Sequence, residues 1–243
     1  MLDGGGGIAM RQRLRRLRSD ESGFTLVELV TAMAIGLVIL FAAFLLLDRA
    51  TAVSQEIANR NEALQRGRLA MEKIVRDLRS QVCLGDEKEP ITFADQNRVT
   101  FYIDTSDGSK DVHQRTIRYD AATKSIYEDI YIGTGIYPDL VFAGAPNETR
   151  LLASKVEPIL DNGVPRPFFR YYAFRVGGVP GDLRQLAAPL SVNDAISTVM
   201  VKVGFTVMPD RKSPKAREAT SVESDIYVRI ADPTMPQEGP QCI

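Results

Sequence analysis

The chain has 243 residues, of which 44% are hydrophobic and 25% charged, and its formal net charge is -1. This length allows one packed domain with an additional segment, and the near-neutral balance provides no general basic field for a nucleic acid. Two distant cysteines exclude a disulfide-dense miniature scaffold and a four-cysteine zinc site. Any histidine-based triad or metal centre has to use the single histidine, His113.

A long apolar segment follows a basic leader. Residues 24–47 read FTLVELVTAMAIGLVILFAAFLLL and contain one ionisable group, Glu28. At about 1.5 Å per residue, such a helix spans a hydrocarbon core of about 30 Å. Five arginines precede this segment and Asp48 follows it. The charge bias therefore predicts a single-pass protein with a cytoplasmic N-terminus and an exported C-terminal domain.

A secretory signal peptide and a plain single-span anchor are the alternatives. Ala50-Thr51-Ala52 matches the small-residue pattern that is cleaved after a signal peptide. The apolar core of a signal peptide, however, usually has about 7 to 15 residues. Neither alternative explains Glu28, because an acid inside a membrane segment costs about 2.5 to 3.5 kcal/mol and usually marks a function.

The junction between leader and apolar segment resembles a known processing signal. The sequence SGFTLVELV at residues 22–30 resembles the cleavage and methylation motif of type IV prepilins, which pilins and the pseudopilins of type II secretion and competence systems share. The resemblance implies that prepilin peptidase cuts between Gly23 and Phe24 and then N-methylates the amine of Phe24. Glycine suits this position because it lets an extended backbone enter a narrow protease cleft. The chain would thus be a substrate and not an enzyme.

The resemblance also implies a role for Glu28. A carboxylate in hydrocarbon needs a cation, and cleavage creates one at the amine of Phe24. In this family, the glutamate of an incoming subunit is thought to neutralise the N-terminal amine of its neighbour, which makes insertion a registered docking step. The alternative is that Glu28 is protonated or reaches the membrane surface.

A second helical segment follows the apolar one. Residues 48–84 are rich in helix formers, and their apolar residues recur every three or four positions. We expect one continuous helix that ends at Leu84, with Gly85 as its cap, and Gly36 and Gly67 as weak points or close-approach sites. The predicted stripe comprises Val53, Ile57, Leu64, Met71, Ile74, Val75, Leu78 and Val82.

Beyond Pro90 the pattern predicts an antiparallel sheet. Residues 199–207 alternate between apolar and other side chains, as in a strand with one buried face, and 120–124 reads as a hairpin turn. We therefore predict an α+β fold in which the long helix packs on the sheet. The predicted strands are 98–104, 114–119, 125–132, 168–175, 198–207 and 225–230. The chain as a whole divides into a removed leader (1–23), a membrane and filament-core helix (24–47), an exported half-helix (48–85) and a β-rich domain (86–243).

The order of the later strands resembles J-type minor pseudopilins and related minor pilins. The closing Arg-Asn pair of those proteins is absent, since Ile230 follows Arg229. Removal of residues 1–23 from 243 leaves 220 residues, more than a repeating filament subunit usually needs. The excess lies in the irregular segments 133–165 and 209–223, which suit a tip or partner-binding role.

The chain contains other groups that could support chemistry. His113 is expected just before a strand, and a surface role is predicted for it. The acidic run 104–111 is interpreted as a solvated turn in preference to a calcium site. No metal or cofactor is therefore expected. Cys83 and Cys242 can form a disulfide in an oxidising compartment, with free thiols as the alternative. The aromatic and arginine residues of 168–175 could stack on bases, but core packing is the favoured interpretation and no nucleic acid partner is expected.

The sequence thus predicts a minor pilin or pseudopilin that initiates or caps a filament. The alternative is an adhesin or DNA-receptor module displayed on that filament. Expected partners are prepilin peptidase, other minor pilins or pseudopilins, the major subunit, the inner-membrane assembly platform and membrane lipid. The expected location is the bacterial inner membrane, followed by a periplasmic or cell-surface filament.

Overall fold

The computed structural model describes residues 23–85, 89–105, 112–177, 179, 181–209 and 219–228. It divides into two compact units, residues 1–54 and 55–243. Helix α1 (Leu26–Arg79) belongs in part to each unit. Antiparallel sheets make up most of the described second unit, so the chain has an α+β, pilin-like architecture.

The first unit, in its described residues, comprises residues 23–25 and the first part of α1, which is apolar up to Leu47. Its large hydrophobic side chains are exposed from Phe24 to Leu47. By length and composition, this helix can cross a membrane. An unpartnered apolar surface of this kind needs lipid or other helices around it.

The first sheet of the second unit is an antiparallel meander. Neighbouring strands in the chain are also neighbours in the sheet, in the order β1-β2-β3-β4-β5. The strands are β1 (Ile91–Ala94), β2 (Arg98–Asp104), β3 (Val112–Asp120), β4 (Ser125–Ile132) and β5 (Glu148–Ser154).

The second sheet has the order β10-β9-β11-β12, and the short β6 also pairs with β11. Strands β7 and β8 form a separate two-stranded hairpin, and the short helix α2 precedes β11. The elements are β6 (Val156–Glu157), β7 (Leu160–Asp161), β8 (Val164–Pro165), β9 (Phe169–Phe174), β10 (Leu183–Leu186), α2 (Val192–Ser197), β11 (Met200–Val207) and β12 (Thr220–Tyr227).

One apolar core joins both sheets to the second half of α1. The buried helix residues recur every three or four positions, as expected for one face of a helix. They are Ala63, Gly67, Ala70, Met71, Ile74, Asp77 and Leu78. Gly67 is a close-approach site, because a Cβ atom there would lie 3.0 Å from a methyl carbon of Val207 in β11 and 3.0 Å from one of Val222 in β12.

A cluster of four charged residues lies within the interface between helix and first sheet. Lys73 of α1 lies 2.8 Å from Asp77 of the same helix and 3.3 Å from Glu128 of β4. Arg115 of β3 pairs with Glu128 and lies 3.5 Å from Asp77. Two cations thus balance two buried carboxylates. Burial raises the pKa of Asp77, although the hydrogen bond from Lys73 acts in the opposite direction.

Several predicted elements are confirmed. Strands β2 and β4 have the predicted bounds, and residues 121–124 form the turn between β3 and β4. All five predicted inward-facing residues of 199–207 are buried. These segments follow local patterns that need no tertiary information.

Other predictions are wrong. Helix α1 ends at Arg79 and not at Leu84, because Gln81 bridges to Ile103 and the Val82 N–H donates to the Tyr102 carbonyl at 3.0 Å. Gly85 has a φ of 74° but does not cap the helix. Segment 133–165 is not wholly irregular, since it contains β5 to β8, and β12 begins before residue 225. Of the predicted stripe, Val53 and Ile57 are exposed.

Candidate functional site

The junction that the sequence marks for cleavage lies directly before α1. Gly23, Phe24 and Thr25 precede α1 in a non-helical conformation. Phe24 is 83% exposed, and a Cβ atom at Gly23 would meet nothing within 4 Å. The bond between Gly23 and Phe24 is therefore sterically accessible among the described residues.

Glu28 lies in the first turn of α1 and caps the helix. Oε2 of Glu28 accepts hydrogen bonds from the Thr25 main-chain N–H at 3.2 Å and from the Thr25 hydroxyl at 3.1 Å. The Glu28 N–H in turn donates to Thr25 Oγ1 at 3.2 Å. These reciprocal bonds form a capping box, which satisfies main-chain donors that a helix start leaves without partners.

The capping box fixes the position of the carboxylate. It holds the Glu28 carboxylate against the residue that follows Phe24, at the helix end where the partial positive charge of the main-chain dipoles favours an anion. The carboxylate is exposed and available to a cation from outside the unit. A carboxylate placed in this way can pair with an amine while its hydrogen bonds to Thr25 compensate part of its desolvation.

Thr25 is the residue of this site that the motif-based prediction omitted. Its signal was present in the sequence, because a threonine followed three residues later by a glutamate, just before an apolar run, is a capping-box signature. The same signature predicts a helix that begins at Leu26 instead of Phe24, as the structure has it.

The cysteines lie far from this junction in sequence. Cys83 is partly buried in the segment after α1 and is not a free thiol. Cys242 lies outside the described residues, so the bridge between the two stays a prediction.

Within the described part of the chain, the remaining candidates do not come together as a second site. His113 lies inside β3 and not before it, and is partly buried. Residues 106–111 of the acidic run lie outside the described residues, and the described residues contain no metal-binding group of three or more His, Cys, Asp or Glu side chains.

Three of the four aromatic residues of β9 are buried as predicted, with Phe169 and Tyr171 almost completely so. The fourth, Tyr172, is partly buried and has Lys202 beside its ring. Phe168, next to the strand, stacks on Tyr119 at 3.9 Å between ring centroids. The buried rings are therefore not a surface platform for bases.

Comparison with known proteins agrees with the motif. Residues 18–44 match the family model described as the prokaryotic N-terminal methylation motif. No curated protein matches the chain at a significant level. The motif supports processing by prepilin peptidase, membrane anchoring and assembly with other pilins. The chain thus carries the N-terminal signature of type IV prepilins on a pilin-like fold, which points to a pilin or pseudopilin subunit and not to an enzyme.

Proposed function

We propose that this chain is a minor pilin or pseudopilin that initiates or caps a type IV pilus-like filament. Prepilin peptidase cleaves it between Gly23 and Phe24, and the amine of Phe24 is then methylated. Before assembly it crosses the inner membrane once, with the leader in the cytoplasm and the β-rich domain exported. The observation that carries the proposal is an accessible Gly23–Phe24 bond directly before a capped Glu28 and an exposed apolar helix.

The capping box gives Glu28 a role in docking. An acid in the membrane costs about 2.5 to 3.5 kcal/mol on insertion scales. Cleavage supplies an amine at Phe24, and when the Glu28 carboxylate of one subunit meets that amine on its neighbour, each charge compensates the desolvation of the other. Thr25 keeps the carboxylate oriented during the approach. Assembly in the wrong register leaves both charges unpaired, so the pairing fixes the register.

A minor subunit is favoured over a major one by the size of the exported part. It carries two antiparallel sheets and a separate hairpin, β7–β8, which is more material than a repeating shaft subunit usually has. The order of the later strands along the sequence also resembles that of J-type minor pseudopilins and related minor pilins. An initiating subunit meets its neighbours on fewer sides than a shaft subunit does, and so tolerates such added surface.

The first experiment is the intact mass of the protein purified from its native membrane. We expect a first residue at Phe24 that carries one methyl group. A first residue at Val53, as a signal peptidase cut after Ala52 would give, or an intact leader contradicts the proposal.

The second experiment compares Glu28→Gln with Glu56→Gln, the same change in the same helix but outside the apolar segment. We expect Glu28→Gln to retain cleavage but to lose co-purification with the other subunits, whereas Glu56→Gln keeps both.

Deletion of the gene should abolish filaments in electron micrographs. Normal filaments with lost attachment or DNA uptake would instead favour a receptor role.

A further inference from the structure

A groove of about 910 Å³ runs between α1 and β12 in the second unit. Its floor is apolar and consists of Met71 and Val75 of the helix and Val222 of the strand. Its rim is charged and polar, with Arg68, Glu72, Arg76, Arg79, Ser80 and Ser224. Among the described strands, β12 is the outermost of its sheet, so no strand of this part of the chain closes the groove.

The rim has an excess of positive charge. Arg68, Arg76 and Arg79 are exposed, and none of the three forms an ion pair with any described residue, nor does Glu72. Three guanidinium groups against one carboxylate leave two positive charges over an apolar floor. Arginine binds carboxylates through paired N–H donors, so this rim fits an acidic partner.

The acidic residues of β12 do not compensate this charge. Successive side chains of a strand point to opposite faces of the sheet, and Val222 and Ser224 face the groove. Glu223 and Asp225 therefore lie on the other face, where Glu223 pairs with Arg170 and Asp225 binds Lys202 at 3.0 Å. Within the described residues, Arg170 and Lys202 of that face are paired, whereas the three arginines of the groove are not.

We infer that this groove binds an acidic segment of a neighbouring filament subunit. The segment places carboxylates on Arg68, Arg76 and Arg79, and apolar side chains on the floor formed by Met71, Val75 and Val222. The inference rests on the proposed function, since it assumes a neighbouring subunit. It adds to that function a contact between exported domains, separate from the pairing of Glu28 with the amine of Phe24.

The test is photocrosslinking in cells that express the full-length chain. A benzophenone amino acid replaces Arg76 at the groove or, as a control, Arg184 of β10. Arg184 is also exposed and free of ion pairs within the described chain, but it lies at the opposite edge of the same sheet. We expect an adduct to another subunit from position 76 and none from position 184. The crosslinked peptide, identified by mass spectrometry, should be rich in Asp and Glu.

Charge reversal at the rim then tests the electrostatic part. Arg68→Glu combined with Arg79→Glu should lower the yield of the adduct about tenfold, since it replaces two attractions by repulsions. Both side chains are exposed, so the thermal unfolding temperature should stay unchanged, and this is measured in parallel. Raising the salt concentration should lower the yield from the unaltered rim in the same direction.

Several outcomes overturn the inference. These are an adduct within the same chain, an adduct to lipid, a crosslinked peptide without carboxylates, or no adduct at position 76. An adduct yield that the charge reversal does not change also contradicts the inference. The mass of the N-terminus is recorded in every sample. A cleaved leader without the expected adduct refutes the groove alone, whereas an intact leader refutes the proposed function.

Discussion

The charged cluster between helix and first sheet allows a quantitative prediction for Glu128→Gln. Glu128 is 0% exposed, pairs with Arg115 and lies 3.3 Å from Lys73. Removing one partner of a buried ion pair costs about 3 to 5 kcal/mol, because the other charge stays buried without compensation. Arg115 still lies 3.5 Å from Asp77, and Lys73 keeps its 2.8 Å bond to the same carboxylate. Because both cations keep a partner, we expect a loss at the lower end of this range, about 3 kcal/mol.

For a domain of this size, about 3 kcal/mol corresponds to a fall in the unfolding temperature of roughly 6 to 12 °C. The measurement is thermal unfolding of the full-length chain in detergent, followed by circular dichroism of the sheet signal. The matched control is Glu148→Gln in β5, which removes the same charge from an exposed pair with Arg150. That change should leave the unfolding temperature nearly unchanged, because an exposed ion pair contributes little to stability.

Equal shifts for Glu128→Gln and Glu148→Gln would refute the reasoning, since burial would then not matter. A double variant gives a second check. Arg115→Met with Glu128→Leu replaces the pair by apolar side chains, and a buried pair replaced in this way is often neutral or stabilising. We therefore expect the double variant to recover much of the stability that Glu128→Gln loses.

Three further predictions concern other parts of the second unit and its tail. Tyr171→Phe should cost about 1 kcal/mol, because the hydroxyl donates at 2.9 Å to a carbonyl of the β1–β2 turn. Burial raises the pKa of Tyr171 well above 10. The contribution of the protonated hydroxyl to stability is therefore complete below pH about 10 and is lost at higher pH. In alkaline unfolding curves, Tyr171→Phe should therefore lose less stability than the unaltered chain. Gly67→Val should lower the unfolding temperature by several degrees, since overpacking costs about 1 to 3 kcal/mol, whereas Gly36→Val should not. Finally, Cys83→Ser and Cys242→Ser should give the same slower migration on a non-reducing gel, and two unaltered mobilities would contradict the bridge.

Patterns of neighbouring residues were sufficient to predict several elements of the fold. The bounds of β2 and β4 follow from short runs rich in β-branched and aromatic residues, which are a property of adjacent residues. The turn before β4 has its own local cause, since Asp120 accepts hydrogen bonds from the Ala122 N–H and the Thr123 hydroxyl, both at 2.9 Å. The hydrogen bond between Thr25 and Glu28 is also local, since the two residues lie within one helical turn.

The short or exposed elements escaped prediction because pairing partners define them. Strand β1 has four residues and is recognisable only beside β2. Strand β5 is largely exposed, so its sequence lacks the apolar alternation that marks a half-buried strand. Its bonds to β4 order the main chain independently of side-chain burial.

The sequence alone determined the basic leader, the membrane-length helix with its single acid, and the predominance of antiparallel strands, because each depends on residues that are close in the chain. Only the tertiary structure decided where α1 ends and which polar residues are buried. The helix stops at Arg79 because β2 offers hydrogen bonds to the residues that follow. Arg115 and Glu128 lie on the inner faces of their strands because Lys73 and Asp77, distant in sequence, meet them there. Complementary charges from separate elements make such burial tolerable, and no local pattern contains that information.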